Sequence, residues 1–299
     1  MAFIRTFDAQ NISKMKTGDI VDNARFTYSS VGKYLKLDAQ HNATLFALLK
    51  EDVAVGKVFP ALRNNELHFY YKGGCLYKFL SGVFYRDSNY DLYSANTDGL
   101  SSYEKAKKQN ENKYTNAKGG VTERQRLDDL YCHTFDIDQR TNVVVLDIEV
   151  NLKGTVGWGK KCDLVFLNTA TNELMFVEGK VFSDDRVRSA VGYIPRVIEQ
   201  VNIYTQAIAE QRNEILVQYS EHIRIINELF GTSYQPPKAL IEPAKLLVYQ
   251  TGGGKAVNTQ YTIDIINEKL GVGNVMWVEN DDTPTIDEIW QALMEDKCK

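Results

Sequence analysis

Two short apolar runs, each carrying charge at one end, constrain this chain more than any other feature. Cys162-Asp163-Leu-Val-Phe-Leu167 and Leu174-Met-Phe-Val177-Glu178-Gly179-Lys180 are separated by the polar stretch from Asn168 to Glu173. Each run has strand length and is filled by aliphatic and aromatic residues, so the two read as a hairpin. With Thr169 to Asn172 as the turn, Asp163 falls directly opposite Glu178. Opposed residues hold their Cβ atoms about 4.5–5.5 Å apart, and the two-residue period of a strand puts Lys180 on the same face as Glu178. Two carboxylates and an ammonium therefore converge at one end of the hairpin.

Opposed like charges destabilise a sheet unless something resolves the repulsion. A hard divalent cation does so through carboxylate and carbonyl oxygens and retained water, and the carbonyl of Gly179 lies beside Glu178 as a further oxygen. Lys180 then orients or helps activate a metal-bound water and stabilises charge on a phosphate. These groups suit phosphodiester hydrolysis, with Mg²⁺ as the expected metal and Mn²⁺ as a substitute.

The surrounding elements are read from periodicity. Thr122 to Phe135 is expected to be a helix, with Leu127, Leu130 and Tyr131 at helical spacing. Val143 to Leu152 is a strand before the hairpin. A long helical stretch follows it, from about Pro195 to Phe230, in which Val197, Val201, Tyr204 and Ile208 share one face. Lys245 to Tyr249 and Asn274 to Val278 read as strands, Thr262 to Leu270 and Ile286 to Met294 as helices. The first third is β-rich and aromatic, with a hairpin around Lys72-Gly73-Gly74, further strand-like segments at Val83 to Tyr85 and Leu92-Tyr93, and a helix near Ala43 to Leu49. The stretch from Asp98 to Gly120 is polar, lacks an apolar face, and is expected to be a linker or loop. The organisation expected is a β-rich N-terminal module over residues 1–97, a Lys-rich linker over 98–120, and an α/β domain over 121–299.

Bulk properties exclude several classes. The 299 residues are 43% hydrophobic and 25% charged, which rules out collagen-like and disordered chains. The formal charge of −4 gives no whole-chain affinity for nucleic acid or membrane, so any basic surface is local. The four cysteines, Cys75, Cys132, Cys162 and Cys298, lack C-x-x-C spacing, which disfavours a zinc cluster or disulfide framework. No apolar run approaches the ~18–20 residues of a membrane helix, and no secretory leader is visible. A soluble cytoplasmic protein is expected.

The pattern of Asp163, then Glu178-Gly179-Lys180, resembles the PD-(D/E)XK nuclease superfamily, over roughly residues 121–250. Gln200-Val-Asn-Ile-Tyr204 adds a Q-x3-Y helix similar to that of the RecB-type exonuclease branch. The resemblance implies a restriction-endonuclease-like α/β core, with a mixed central sheet flanked by helices, in addition to the β-rich N-terminal region. It implies that Asp163 and Glu178 bind metal, that Lys180 assists the water, and that Gln200 and Tyr204 help hold the site. It further implies an acidic residue on the preceding helix, for which Glu123 is the candidate and Asp128 and Asp129 the reserves. Cys162 stands where the family's proline usually precedes the first Asp, and Gly179 stands where an apolar residue is frequent.

Other motifs carry less. Gly154-Thr-Val-Gly-Trp-Gly159-Lys160-Lys161 has phosphate-loop spacing, but Lys161 replaces the magnesium-binding hydroxyl and a strand follows where a helix is required. It reads as a hairpin loop, and Thr251-Gly-Gly-Gly-Lys255 as a turn. Asp147 and Glu149 read as solvent-facing alternation, with a third metal ligand as the alternative. His41, His68, His133 and His222 have no partners at ligating spacing, although His133 lies on the candidate helix of Glu123. Phosphate contact is expected from Lys160, Lys161, Arg186, Arg188 and Arg196, unless Asp184 and Asp185 simply pair with Arg186 and Arg188. The expectation is a Mg²⁺-dependent deoxyribonuclease. The rival is a catalytically inactive protein of the same fold that binds nucleic acid or a protein partner.

Overall fold

The computed structural model describes residues 4–22, 25–87, 102–115, 123–131, 141–152, 161–250, 259–279 and 282–295. The expectations for Leu92-Tyr93, Thr122, Cys132, His133, the loop from Gly154 to Lys160, Thr251 to Lys255 and Cys298 lie outside the described residues. In the N-terminal part, strands β1 (Tyr28–Val31), β2 (Tyr34–Leu37), β3 (Phe59–Leu62), β4 (Leu67–Tyr71), β5 (Gly74–Leu80) and β6 (Val83–Asp87) form one sheet. Its order is β1-β2-β6-β5-β4-β3, with every neighbouring pair antiparallel. The β4–β5 turn uses Lys72 at φ 49° and Gly73 at φ 75°. Two successive left-handed residues give a turn whose twist matches the flanking strands. Helices α1 (Ala9–Met15) and α2 (Asn42–Ala54) pack here, with Leu45, Phe46, Leu49 and Val53 sharing a core with Phe69 and Phe84.

The expected polar linker is corrected over residues 102–115, which form helix α3 (Ser102–Thr115). Its buried face comprises Tyr103, Ala106, Gln109 and Asn110. That face has helical spacing but is built from one aromatic, one small and two amide side chains, so hydropathy does not register it. The amides are used: Asn110 donates to the Gly74 carbonyl at 3.3 Å and to that of Tyr71, while the Tyr103 hydroxyl donates to Asp52 at 2.7 Å.

The C-terminal part is α/β. Strands β7 (Val143–Val150), β8 (Cys162–Asn168), β9 (Glu173–Val181), β10 (Ala239–Tyr249) and β11 (Val275–Val278) form a mixed sheet ordered β11-β10-β9-β8-β7. The first three run antiparallel, and β9, β10 and β11 run parallel. Helices α4 (Glu123–Tyr131), α5 (Arg196–Glu210), α6 (Arg212–Phe230), α7 (Thr259–Leu270) and α8 (Ile286–Met294) accompany it. Parallel neighbours need a long crossover, and α5 with α6 supplies the one between β9 and β10.

The expected single helix from Pro195 to Phe230 is two helices that meet at Gln211. Gln211 has φ −111° and ψ 12°, and its side-chain amide donates to the Ala207 carbonyl at 2.9 Å, closing the last turn of α5. The apolar stripe runs on without interruption from Ile208 to Ile215 and Tyr219, so periodicity carries no sign of the break.

Strands β8 and β9 are covered on both faces. Leu164, Phe166, Met175 and Val177 join the core shared with Phe59, Leu67 and Phe69 of the N-terminal sheet. Val165, Leu167, Leu174 and Phe176 face Val197, Val201, Tyr204 and Ile208 of α5. Such double burial explains why both runs read as continuously apolar. Among the described residues no helix is long and apolar enough to cross a membrane.

Asp147 is a second correction. It is fully buried rather than solvent-facing, because β7 is covered on both faces, and the β7–β8 register shifts between Val145 and Asp147. Arg5 Nε and Arg63 Nη1 each donate to its carboxylate at 2.7 Å, and the Tyr219 hydroxyl donates at 3.1 Å. These arginines hold its carboxyl far below the usual carboxylate range despite the opposing effect of burial.

Candidate active site

The β8–β9 hairpin has the expected register. Its ladder runs from Asn168 opposite Glu173 to Leu164 opposite Val177, so the next step places Asp163 against Glu178. The turn is built by Asn168, whose side-chain oxygen accepts from the N–H groups of Ala170 and Thr171 at 3.0 and 3.1 Å. Past the ladder, Asp163 Oδ2 accepts from the backbone N–H of Gly179 at 3.0 Å.

Lys180 Nζ sits at the centre of this group. It lies 2.6 Å from Glu178 Oε1, 3.1 Å from Asp163 Oδ2 and 3.6 Å from Glu123 Oε1, and donates to the Gly179 carbonyl at 2.6 Å. Glu178 and Lys180 are each 1% exposed, whereas the side chains of Asp163 and Glu123 are 20% and 26% exposed. Removing ions from water costs several kcal/mol each. Two buried charges on a central strand therefore point to a task other than stability.

Glu123 reaches the cluster because α4 packs closely on β9. Leu127, one turn further along the same face, seats over Gly179, where the absence of a side chain leaves room. Of the two reserves, Asp128 is committed elsewhere: it accepts from the Gly73 N–H at 2.7 Å and ties α4 to the β4–β5 turn. Asp129 is exposed and makes no contact with the cluster among the interactions described.

The helix α5 braces the site from behind. Gln200 Nε2 donates to Glu178 Oε1 at 2.6 Å and to the Tyr204 hydroxyl at 2.9 Å, and that hydroxyl donates to the Lys161 carbonyl. The i, i+4 pair thus links the central carboxylate to the start of β8.

Protonation follows from this crowding. Burial, and then the neighbouring charge of Asp163, push the Glu178 carboxyl well up, against the pull of Lys180. Burial opposes the charge on Lys180, but Asp163, Glu178 and Glu123 outweigh it and hold the amine above the usual lysine range. Burial also raises Glu123.

Comparison with family models, curated proteins and solved structures finds no match. The reading of the site therefore rests on its own geometry.

Among the described residues no group of three or more His, Cys, Asp and Glu side chains has ligating geometry by itself. The Lys180 ammonium stands among the carboxylates instead. The donor set nonetheless fits a hard cation: carboxylate and carbonyl oxygens surround one positive centre, and Glu178 Oε2 and Gln200 Oε1 are buried without a hydrogen-bond partner.

The expected phosphate contacts divide. Lys161 is exposed and pairs with Glu149 at 3.0 Å. Arg186 is held by Asp184 at 2.6 Å and Arg188 by Asp185 at 2.9 Å, while Arg196 is exposed at the start of α5. Lys160 lies outside the described residues.

Periodicity did not reveal the wall contributed by the N-terminal sheet. A cleft of about 160 Å³ is lined by Tyr70 and Gly73 together with Glu123, Leu127, Glu149 and Asp163. Glu149 adopts φ 48°, a left-handed conformation that is costly for a residue with a side chain and is concentrated at functional sites.

Proposed function

We propose that this chain is a divalent-cation-dependent nuclease, with a restriction-endonuclease-like core, that hydrolyses DNA phosphodiester bonds. The observation that carries the reading is the single point where Lys180 Nζ meets Asp163, Glu178, Glu123 and the Gly179 carbonyl. The Q-x3-Y brace behind Glu178 supports it.

Asp163, Glu178 and the Gly179 carbonyl would hold the cation, with Glu123 completing the acidic set. When bound, Mg²⁺ or Mn²⁺ supplies Lewis acidity toward a phosphoryl oxygen and acidifies a water. Glu178 presents a fixed carboxylate because Gln200 restrains one of its oxygens. Lys180 Nζ, within hydrogen-bond reach of both Asp163 and Glu178, would donate to the attacking water or to a phosphoryl oxygen as charge develops there. Lys161, in exchange for its pairing with Glu149, and the exposed Arg196 would contribute phosphate contacts.

The test is cleavage of linear and plasmid DNA in Mg²⁺. Activity abolished by EDTA and by Lys180→Ala, in a variant that remains folded, supports the reading. Unchanged cleavage by Lys180→Ala removes Lys180 from the mechanism. Calorimetric titration of Mn²⁺ separates the inactive rival: binding lost in Asp163→Asn supports the enzyme, whereas no binding by either protein, with DNA present, supports the rival.

A further inference from the structure

Successive residues of a regular strand point to opposite faces, yet Ile148 and Glu149 of β7 both line the cleft of about 160 Å³. The regular conformation breaks at Glu149, whose φ of 48° is left-handed and costs energy for a residue with a side chain. The peptide before it is held from two sides. Arg63 Nη2 donates to the Ile148 carbonyl at 2.7 Å, and the Ile148 N–H donates to Asp147 Oδ1 at 2.8 Å. The pair of Arg63 and Asp147 thus supports the backbone from which the Glu149 side chain departs.

Glu149 also has a defined place beside the acidic cluster. The β7–β8 ladder pairs Ile148 with Leu164 and Val150 with Cys162, so the step between them sets Glu149 against Asp163. Both residues line the cleft, together with Glu123 and Arg124 of α4. Asp163 and Glu123 lie 3.1 and 3.6 Å from Lys180 Nζ. Glu149 has a different cation, Lys161 Nζ, at 3.0 Å.

Lys161 is suited to exchange that partner. Its carbonyl accepts from the Tyr204 hydroxyl, which ties its backbone to the Gln200 brace. Its side chain is 55% exposed and that of Glu149 39%. An ion pair so accessible to water is weak, and a charge-assisted hydrogen bond to a phosphate oxygen replaces it without loss. A phosphodiester arriving at Lys180 is an anion in a cleft lined by three acidic residues. Asp163 and Glu123 belong to the proposed cation set, whereas Glu149 competes with the phosphate for Lys161.

We propose that the Glu149–Lys161 pair is a latch on the cleft, in which Glu149 holds Lys161 until a substrate phosphate displaces it. Glu149 then determines substrate affinity and takes no part in the chemical step. This rests on the nuclease reading and describes the regulation of that same site.

The test uses wild type, Glu149→Gln, Lys161→Ala and the double variant; glutamine keeps the shape of the side chain and removes its charge. Binding of a fluorescein-labelled DNA duplex is followed by anisotropy in EDTA, and cleavage of the same duplex in Mg²⁺. Glu149→Gln is expected to bind about two- to fivefold more tightly, the range an exposed ion pair allows. Its KM should fall by a similar factor, with kcat and the Mg²⁺ requirement little changed. Lys161→Ala should weaken binding, and in that background Glu149→Gln should add nothing. A gain that persists undiminished without Lys161 would mean plain charge repulsion and overturns the latch. Unchanged affinity in Glu149→Gln, a fall in its kcat or a rise in its Mg²⁺ requirement overturns it as well. Each of these leaves the nuclease reading standing, whereas no cleavage by wild type overturns that reading and the latch with it.

Discussion

Leu127 closes over Gly179 so tightly that a Cβ on the glycine would lie 2.6 Å from Leu127 Cδ2 and 3.3 Å from Cδ1. With that carbon absent, β9 and α4 pack together without displacing the Leu127 methyls, and Glu123 Oε1 lies 3.6 Å from Lys180 Nζ. Gly179→Ala is therefore expected to cost about 1–3 kcal/mol through overpacking, and to lower cleavage further by pushing Glu123 away. Adding Leu127→Val should relieve part of the clash. Urea denaturation of the two single variants and the double variant checks this, because an additive cycle would show that the two side chains do not compete for the space.

Gln200 spends both amide hydrogens within the site, on Glu178 and on Tyr204. Gln200→Leu leaves Glu178 without its neutral donor in a buried setting. If Glu178 binds the metal as proposed, loss of this outer partner is expected to cost about 10–100-fold in metal affinity or activity. Tyr204→Phe removes only the bond to the Lys161 carbonyl and one contact with Gln200, so a smaller loss is expected. The Mg²⁺ concentration giving half-maximal cleavage is the readout; equal values for wild type and Gln200→Leu would show that Glu178 needs no brace.

The sequence exposed the site more fully than the scaffold around it. The convergence of Asp163, Glu178 and Lys180 was legible because a hairpin with a short turn has a determinate register, and a strand has a fixed two-residue period. Gln200 and Tyr204 followed from i, i+4 spacing. Asp147 was misread because both faces of β7 are covered, Val143 and Val145 by one core and Val144 and Leu146 by the other, so alternation there leaves no solvent face. Its partners, Arg5 and Arg63, are 142 and 84 residues away. The helix of α3 was hidden because amides, rather than aliphatic side chains, form half of its buried face. The wall at Tyr70 and Gly73 depends on packing between distant parts of the chain, which periodicity does not encode.

Asp147 supports the fold rather than the reaction. Its carboxylate neutralises two arginines whose side chains are 6% and 18% exposed. Asp147→Asn leaves those cations without their counter-charge, and breaking a buried pair in this way costs about 3–5 kcal/mol. A large fall in Tm is expected, with an unchanged Mg²⁺ requirement for cleavage in the fraction that remains folded. A shifted Mg²⁺ requirement would instead revive Asp147 as a metal ligand.

His222 makes the same region sensitive to acid. The ring is fully buried, both nitrogens lack hydrogen-bond partners, and it faces Tyr219 at 5.6 Å. Burial is the main cause that lowers its pKa to about 3, with Arg5 and Arg63 adding to the effect and Asp147 opposing it. The unfolded chain takes up this proton near pH 6.5, whereas the folded chain refuses it until about pH 3. The favourable contribution is therefore complete above about pH 6.5 and declines as the pH falls, by up to about 1.4 kcal/mol per pH unit. The depressed Asp147 carboxyl acts in the same direction at lower pH, beginning near about 4. His222→Leu removes the titrating ring and two unpartnered nitrogens, so its unfolding free energy should vary less between pH 7 and pH 5 than that of wild type. Chemical denaturation at the two pH values measures the slope; identical slopes would mean that the proton is taken up elsewhere.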